Sequence, residues 1–157
     1  KRISERGLSF LSSFLSSNEV NIMRLWHTEL IPFIPKSQLL AQWRELNSIF
    51  AKEDNHILIN YVYDYPKEDL FIYTQIVLKE MQARNITIRT IDKMERYFAG
   101  ITVPQHYTPF KNHHNDEYLT ICYYNLYEKY IRGQKDFSAE QFDALQLYFC
   151  AKKREFK

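Results

Sequence analysis

The sequence predicts an all-α fold, a single compact domain of about five to six helices. Three observations carry that expectation. Apolar residues recur at three- and four-residue spacing along most of the chain beyond Met23, and helix start and stop residues bound the periodic segments. No Gly-rich phosphate loop, nucleophile elbow or fixed-period repeat interrupts them. With 157 residues, 45% of them hydrophobic and 25% charged, there is material for one core, and no apolar run is long enough to span a membrane.

Residues 1–22, "KRISERGLSFLSSFLSSNEVNI", differ in kind from the rest of the chain. The positive start suggests a targeting peptide, but Ser9, Ser12 and Ser13 break the apolar run and no small-residue cleavage pattern precedes Met23. The stretch reads as a flexible or non-native extension, and residues 23–157 as the helical domain. In "PKSQLLAQWRELNSIF", Leu39, Leu40, Trp43, Leu46 and Phe50 form one helical stripe, with Pro35 suited to the first turn. In "NHILINYVYDY", Leu58, Tyr61, Val62 and Tyr65 suit a helix, although the Ile and Val content keeps a strand open. After Pro66, the stripe Leu70, Phe71, Thr74, Val77, Leu78 and Met81 predicts a longer helix closing near Asn85, a residue that tolerates the left-handed conformation.

"TIDKMERYFAG" offers Thr90 as N-cap, Ile91, Met94 and Phe98 as the buried side, and Gly100 just past the end. The segment "ITVPQHYTPFKNHHN", with two prolines and no sustained period, predicts an ordered surface loop. Asn115 then caps a helix whose first turn carries Asp116 and Glu117 and whose stripe is Leu119, Cys122, Leu126, Tyr127 and Tyr130, ending before Gly133. The last helix has a capping box, Ser138 with Gln141, and a hydrophobic staple, Phe137 with Phe142; it should run to about Lys153.

Composition narrows function mainly by exclusion. A formal charge of +2 is a weak electrostatic footprint, so nucleic-acid binding has to rest on local basic clusters. Cys122 and Cys150 lack zinc-ligand spacing and read as reduced, semi-buried thiols. His106, His113 and His114 fit no standard zinc site and read as loop residues. Of the twelve tyrosines, Tyr123, Tyr124, Tyr127 and Tyr130 suit either base stacking or, for the last two, core packing with the hydroxyls at the rim. On α-helical geometry Glu45 and Arg44 each project roughly 130° from the centre of the apolar stripe, on opposite flanks, which puts both at the surface.

"MRLWH" followed by "LLAQWREL" on an amphipathic helix resembles the pyrimidine dimer DNA glycosylase family, small phage-type repair enzymes and their bacterial relatives. The resemblance covers Met23 to about Ile88, and Leu39, Leu40, Ala41, Gln42, Trp43, Arg44 and Glu45 carry it residue by residue. It implies a glycosylase with abasic-site lyase activity on pyrimidine dimers or related damage, needing no cofactor and no metal. The chain terminus would supply the amine that attacks C1′, here Met23 where phage-type members expose a threonine. Glu45 would assist proton transfer and stabilise developing positive charge; Arg24 and Arg44 would hold phosphates. His56 matches a family histidine, with a DNA contact or a helix-terminal hydrogen bond both open, and Ser48 stands where phage-type members carry a further arginine.

On this reading the partner is double-stranded damaged DNA, met by a monomer in the cytoplasm at the nucleoid, away from membranes. The alternative is a non-catalytic DNA-binding or interaction protein of the same fold, which the near-neutral charge and a Met23 nitrogen tied to Ile22 favour.

Overall fold

A computed structural model of the chain describes residues 24–155 apart from Asp54 and Pro104; the 1–22 extension and Met23 lie outside the described residues. The described residues are helical, with no strand among them. A 3-10 turn at Thr28–Phe33 leads into α1 (Lys36–Ala51); a second 3-10 turn, Asn60–Asp64, precedes α2 (Lys67–Ala83); α3 (Asp92–Tyr97), α4 (Asp116–Ile131) and α5 (Ala139–Glu155) complete the order. The all-α expectation holds.

The first 3-10 turn joins two groups of helices. α1 packs against α2 and α3, α4 packs against α5, and Thr28–Phe33 touches α2, α4 and α5. Its Leu30 and Ile31 are completely buried, so this short element sits in the middle of the core. Pro35 caps α1 without a side-chain bond, and the exposed amides of that first turn are served from elsewhere: Ser37 N–H donates to Asp136 Oδ2 at 2.7 Å. Asp136 lies in the α4–α5 connection, so the C-terminal pair of helices closes the start of α1.

Most punctuation is where the sequence puts it. Asn85 has φ 59° and ends α2 with Ile86 N–H bonded to Met81 O at 2.9 Å; Gly133, φ 82°, ends α4 with Gln134 N–H on Lys129 O at 3.1 Å. Asn115 caps α4 through Tyr118 N–H at 2.9 Å. Ser138 Oγ accepts from Gln141 N–H at 3.1 Å, but the return arm of the box is diverted: Gln141 Nε2 donates to Ile34 O at 2.9 Å, tying α5 to the entry of α1. The Phe137 and Phe142 rings sit 5.9 Å apart as the staple requires. The loop before α4 is pinned by Asp69, buried at 2% exposure, which accepts from Phe110 N–H at 2.8 Å and from the Tyr107 hydroxyl.

Four local expectations are corrected. The segment at residues 55–65 forms a turn and then the 3-10 turn Asn60–Asp64, because Pro66 stops any longer helix. The N-cap of α3 is Ile91 with no side-chain bond, not Thr90. Leu40, Trp43 and Phe71 are half-buried, while Gln42 and Ile49 join Leu39, Leu46 and Phe50 on the core side of α1. Tyr123 is buried and stacks on Phe149 at 3.9 Å, so its ring is not available to a base, whereas Tyr130, stacked on Phe142 at 4.2 Å, packs on the core as its place on the helical stripe suggests. Among the described residues no helix is long and apolar enough to cross a membrane.

Candidate active site

The site grows from one buried amide. Gln42 interrupts the apolar side of α1 and is only 1% exposed, so its amide needs partners inside the protein. The incoming segment of residues 24–26 supplies them: Trp26 N–H donates to Gln42 Oε1 at 2.8 Å, and Gln42 Nε2 donates to Arg24 O at 2.9 Å. Tyr73 on α2, completely buried, braces the same spot, donating to Trp26 O at 2.7 Å and lying 3.0 Å from Gln42 Oε1. Residues 24–26 are thereby laid in one register along α1.

That register brings Arg24 to Glu45. Arg24 N–H and Gln42 Nε2 both donate to Glu45 Oε2, each at 3.2 Å, whereas Glu45 Oε1 accepts no hydrogen bond among the described residues. Burial pushes the Glu45 carboxyl up to about 7, against the opposing pull of the Arg24 amide and charge, the Arg44 charge and the Gln42 bond. It is therefore poised to hold or release a proton near neutral pH.

Glu45 is half-buried and Arg44 exposed, which corrects the expectation that both lie at the surface. The cause is a rotated core face. With Gln42 and Ile49 inside in place of Leu40 and Trp43, Glu45 stands about 90° from the centre of the buried stripe and Arg44 about 170°. Arg24 is half-buried, its guanidinium carbon 5.4 Å from the Trp26 ring centroid. Its charge also reaches α4: Lys129, half-buried, is held below the ordinary lysine range by burial first and then by the Arg24 and Arg132 charges. His56 is exposed in the loop after α1, and its carbonyl accepts from Ile59 and Asn60 N–H at 2.9 Å each. The structure thus places Arg24 against Glu45 midway along α1, with Arg44 the residue before it, while Met23 lies outside the described residues.

Behind residues 24–26 stands a layer of rings that the sequence did not reveal. His114 Nδ1 accepts from Thr28 N–H at 3.0 Å, which fixes its proton on Nε2, 2.7 Å from the Tyr61 hydroxyl. Burial, then the neighbouring His27 and His113, push His114 down to about 2, so it stays neutral. His27, 1% exposed, stacks on it at 5.3 Å, and Tyr118 on α4 donates to Leu25 O at 2.5 Å. His114 is thus buried against residues 27 and 28 and is not a solvated loop residue. Among the described residues no group of histidine, cysteine, aspartate and glutamate could hold a metal ion, and no disulfide joins Cys122 and Cys150.

In an all-helical domain the structure sets a half-buried carboxyl, pushed up to about 7, against the backbone N–H of Arg24. Residues 23–94 match a protein family described as pyrimidine dimer DNA glycosylase, whose members act on DNA. The match takes in the extended segment 24–26, α1 and α2 and ends within α3, leaving α4 and α5 outside. No curated protein and no solved structure matches the chain.

Proposed function

We propose that the protein is a DNA repair glycosylase with abasic-site lyase activity on pyrimidine dimers or related damaged bases. The observation that carries this reading is the Glu45 carboxyl lying 3.2 Å from Arg24 N, the atom joined to the carbonyl carbon of Met23. Chain connectivity alone puts the Met23 nitrogen three bonds from that contact, within about 4 Å of Arg24 N. In a chain that begins at Met23 this nitrogen is a free α-amine with an ordinary pKa of about 7.7–8.0, so a useful fraction is neutral and nucleophilic at physiological pH.

The amine attacks C1′ of the damaged nucleotide and the base departs with the electrons of the glycosidic bond. Loss of a proton from the amine and opening of the sugar leave a Schiff base between the nitrogen and C1′. Glu45 as carboxylate stabilises the positive charge at C1′ and accepts the C2′ proton; the electrons left behind expel the 3′ phosphate, which is the β-elimination. Water then frees the amine from the imine. Gln42 keeps Arg24 and the carboxylate in one geometry, Arg24 and Arg44 attract the backbone phosphates, and His56 contributes a further DNA contact.

When the Met23 nitrogen remains bonded to Ile22 it is a peptide nitrogen and not a nucleophile. This favours a second reading in which the extended chain binds DNA without cutting it. Borohydride trapping on abasic-site DNA separates the two. A chain beginning at Met23 is expected to give a covalent adduct through its terminal amine, and the 157-residue chain little or none. Equal trapping by both would point to an internal lysine, and trapping by neither would favour the non-catalytic protein.

A further inference from the structure

We propose that the groove between α1 and α3, on the far side of α1 from Glu45, is a phosphate subsite for duplex DNA, with Lys93 as its second cation. Trp43, Arg44, Asn47, Ser48 and Ala51 of α1 form one wall, Thr90 and Lys93 the other, around a volume of about 370 Å³. This inference rests on the proposed DNA-acting function, which assigns no role to any residue of α3.

The chemistry of the lining selects an anion. Arg44 and Lys93 are both exposed, face the groove from opposite walls, and make no ion pair among the described residues. Among the described residues no carboxylate lines the space, and Asn47, Ser48 and Thr90 supply neutral polar groups. Two of these are already directed by the helix: Asn47 Nδ2 donates to Trp43 O at 2.8 Å and Ser48 Oγ to Arg44 O at 3.3 Å, so the charge in the groove comes from Arg44 and Lys93. Trp43 is braced edge-on by Phe50 at 6.3 Å, giving a fixed apolar flank on which a deoxyribose can lie. A small apolar ligand would leave both cations without a counter-charge, whereas a phosphodiester meets both and keeps its sugar on the indole.

Position explains why the anion should be DNA backbone near the lesion. Arg44 occupies the crest of α1, with Glu45 on one flank and the groove on the other, and a helix with its side chains is about 10–12 Å across. Duplex grooves have similar widths, roughly 6 Å and 12 Å, so a duplex seated on the crest can offer a sugar to Glu45 and a phosphate to the groove at the same time. Lys93 then fixes the angle at which the strand crosses α1.

The test is the salt dependence of binding to a duplex carrying a non-cleavable abasic-site analogue, followed by fluorescence anisotropy for wild type, Lys93→Ala, Lys93→Arg and Arg44→Ala. Lys93→Ala is expected to lower the slope of log K against log salt by about 0.9, so that its deficit relative to wild type narrows roughly threefold between 50 and 200 mM salt. Lys93→Arg should restore the slope. Because Lys93 is exposed, loss of folding is not the expected cause, and an unchanged circular dichroism spectrum checks this. An unaltered slope in Lys93→Ala beside a reduced slope in Arg44→Ala would overturn the subsite and leave the proposed function standing. Absence of salt-dependent binding by the wild type itself would overturn both.

Discussion

α1 and α4 make an instructive pair. Each has sixteen residues, each carries five buried residues, and each buries one amide side chain, Gln42 at 1% and Asn125 at 2% exposure. The two amides are used differently. Gln42 bonds outward, to the backbone of residues 24–26, to Glu45 and to Tyr73, so three separate segments meet on it. Asn125 bonds back to its own helix, Nδ2 to Ile121 O at 2.8 Å, and its Oδ1 is buried without a partner among the described residues. A buried amide that links segments sets the geometry of a site, whereas one that serves its own helix carries a desolvation cost with little return. The family match takes in α1 and leaves out α4, in keeping with that division.

The strongest way to break this comparison is to remove the charge that Gln42 positions. Glu45→Gln is expected to lower lyase turnover by about 10²-fold or more, the usual scale for losing a proton-transfer group. Stability should move the other way. The folded carboxyl titrates at about 7 and an ordinary one at 4.5, so the folded chain holds a proton that the unfolded chain has released, and stability falls as pH rises across that window. At pH 8 the glutamine variant should be more stable than wild type by about 1–3 kcal/mol, and near pH 4 the difference should vanish. Urea titrations at both pH values measure this, and equal stability at pH 8 would mean that Glu45 is solvated like any surface carboxylate. An undiminished cleavage rate would remove it from the chemistry.

Next in size is the clamp. Gln42→Leu keeps the volume but leaves Trp26 N–H and Arg24 O without their partner, at about 1–3 kcal/mol for each buried group, so a loss of roughly 3 kcal/mol is expected. Any activity that remains should fall by about 10²-fold, because a shift of about 1 Å in the reacting groups is enough for that. The pH at which Glu45 titrates should shift as well, since one donor to Oε2 is gone and the other has lost its register. Carboxyl titration followed by NMR reads that shift. A variant with wild-type stability and titration would show that residues 24–26 hold their register without Gln42.

The same contrast explains what could be read from the chain beforehand. Helix ends were legible because they are local: Asn85, Asn115, Gly133 and Ser138 act within a few residues of themselves, and each does so here. Arg24, Arg44 and Glu45 were legible through the "MRLWH" and "LLAQWREL" resemblance, and the structure places Arg24 against Glu45 midway along α1. The rotated face of α1 was not, because a glutamine inside looks like a polar residue outside until its partners, sixteen and more positions away, are known. One signal was present: Gln42 lies three residues after Leu39 and four before Leu46, on the stripe itself. The ring layer of His27, His114 and Tyr118 carried no such signal, since it joins residues about ninety positions apart that share no local period.

The smallest expected effect tests the other half of the comparison. Asn125→Leu exchanges the amide for an apolar side chain of nearly the same shape, removing both the bond to Ile121 O and the unpartnered Oδ1. The Ile121 carbonyl stays in the body of α4, four residues from the amide of residue 125, so it keeps its helical acceptor role and is not orphaned by the change. What is lost is one hydrogen bond worth about 1 kcal/mol; what is relieved is a buried acceptor worth about 1–3 kcal/mol, and the gain in apolar contact with neighbours such as Cys122 and Leu126 adds to the relief. The variant should therefore be unchanged or more stable by about 1 kcal/mol in urea unfolding, with DNA binding and any lyase activity unaltered. A loss of about 2 kcal/mol or more would show that Asn125 Oδ1 has a partner in solution, and α4 would then carry a working amide of the kind found on α1.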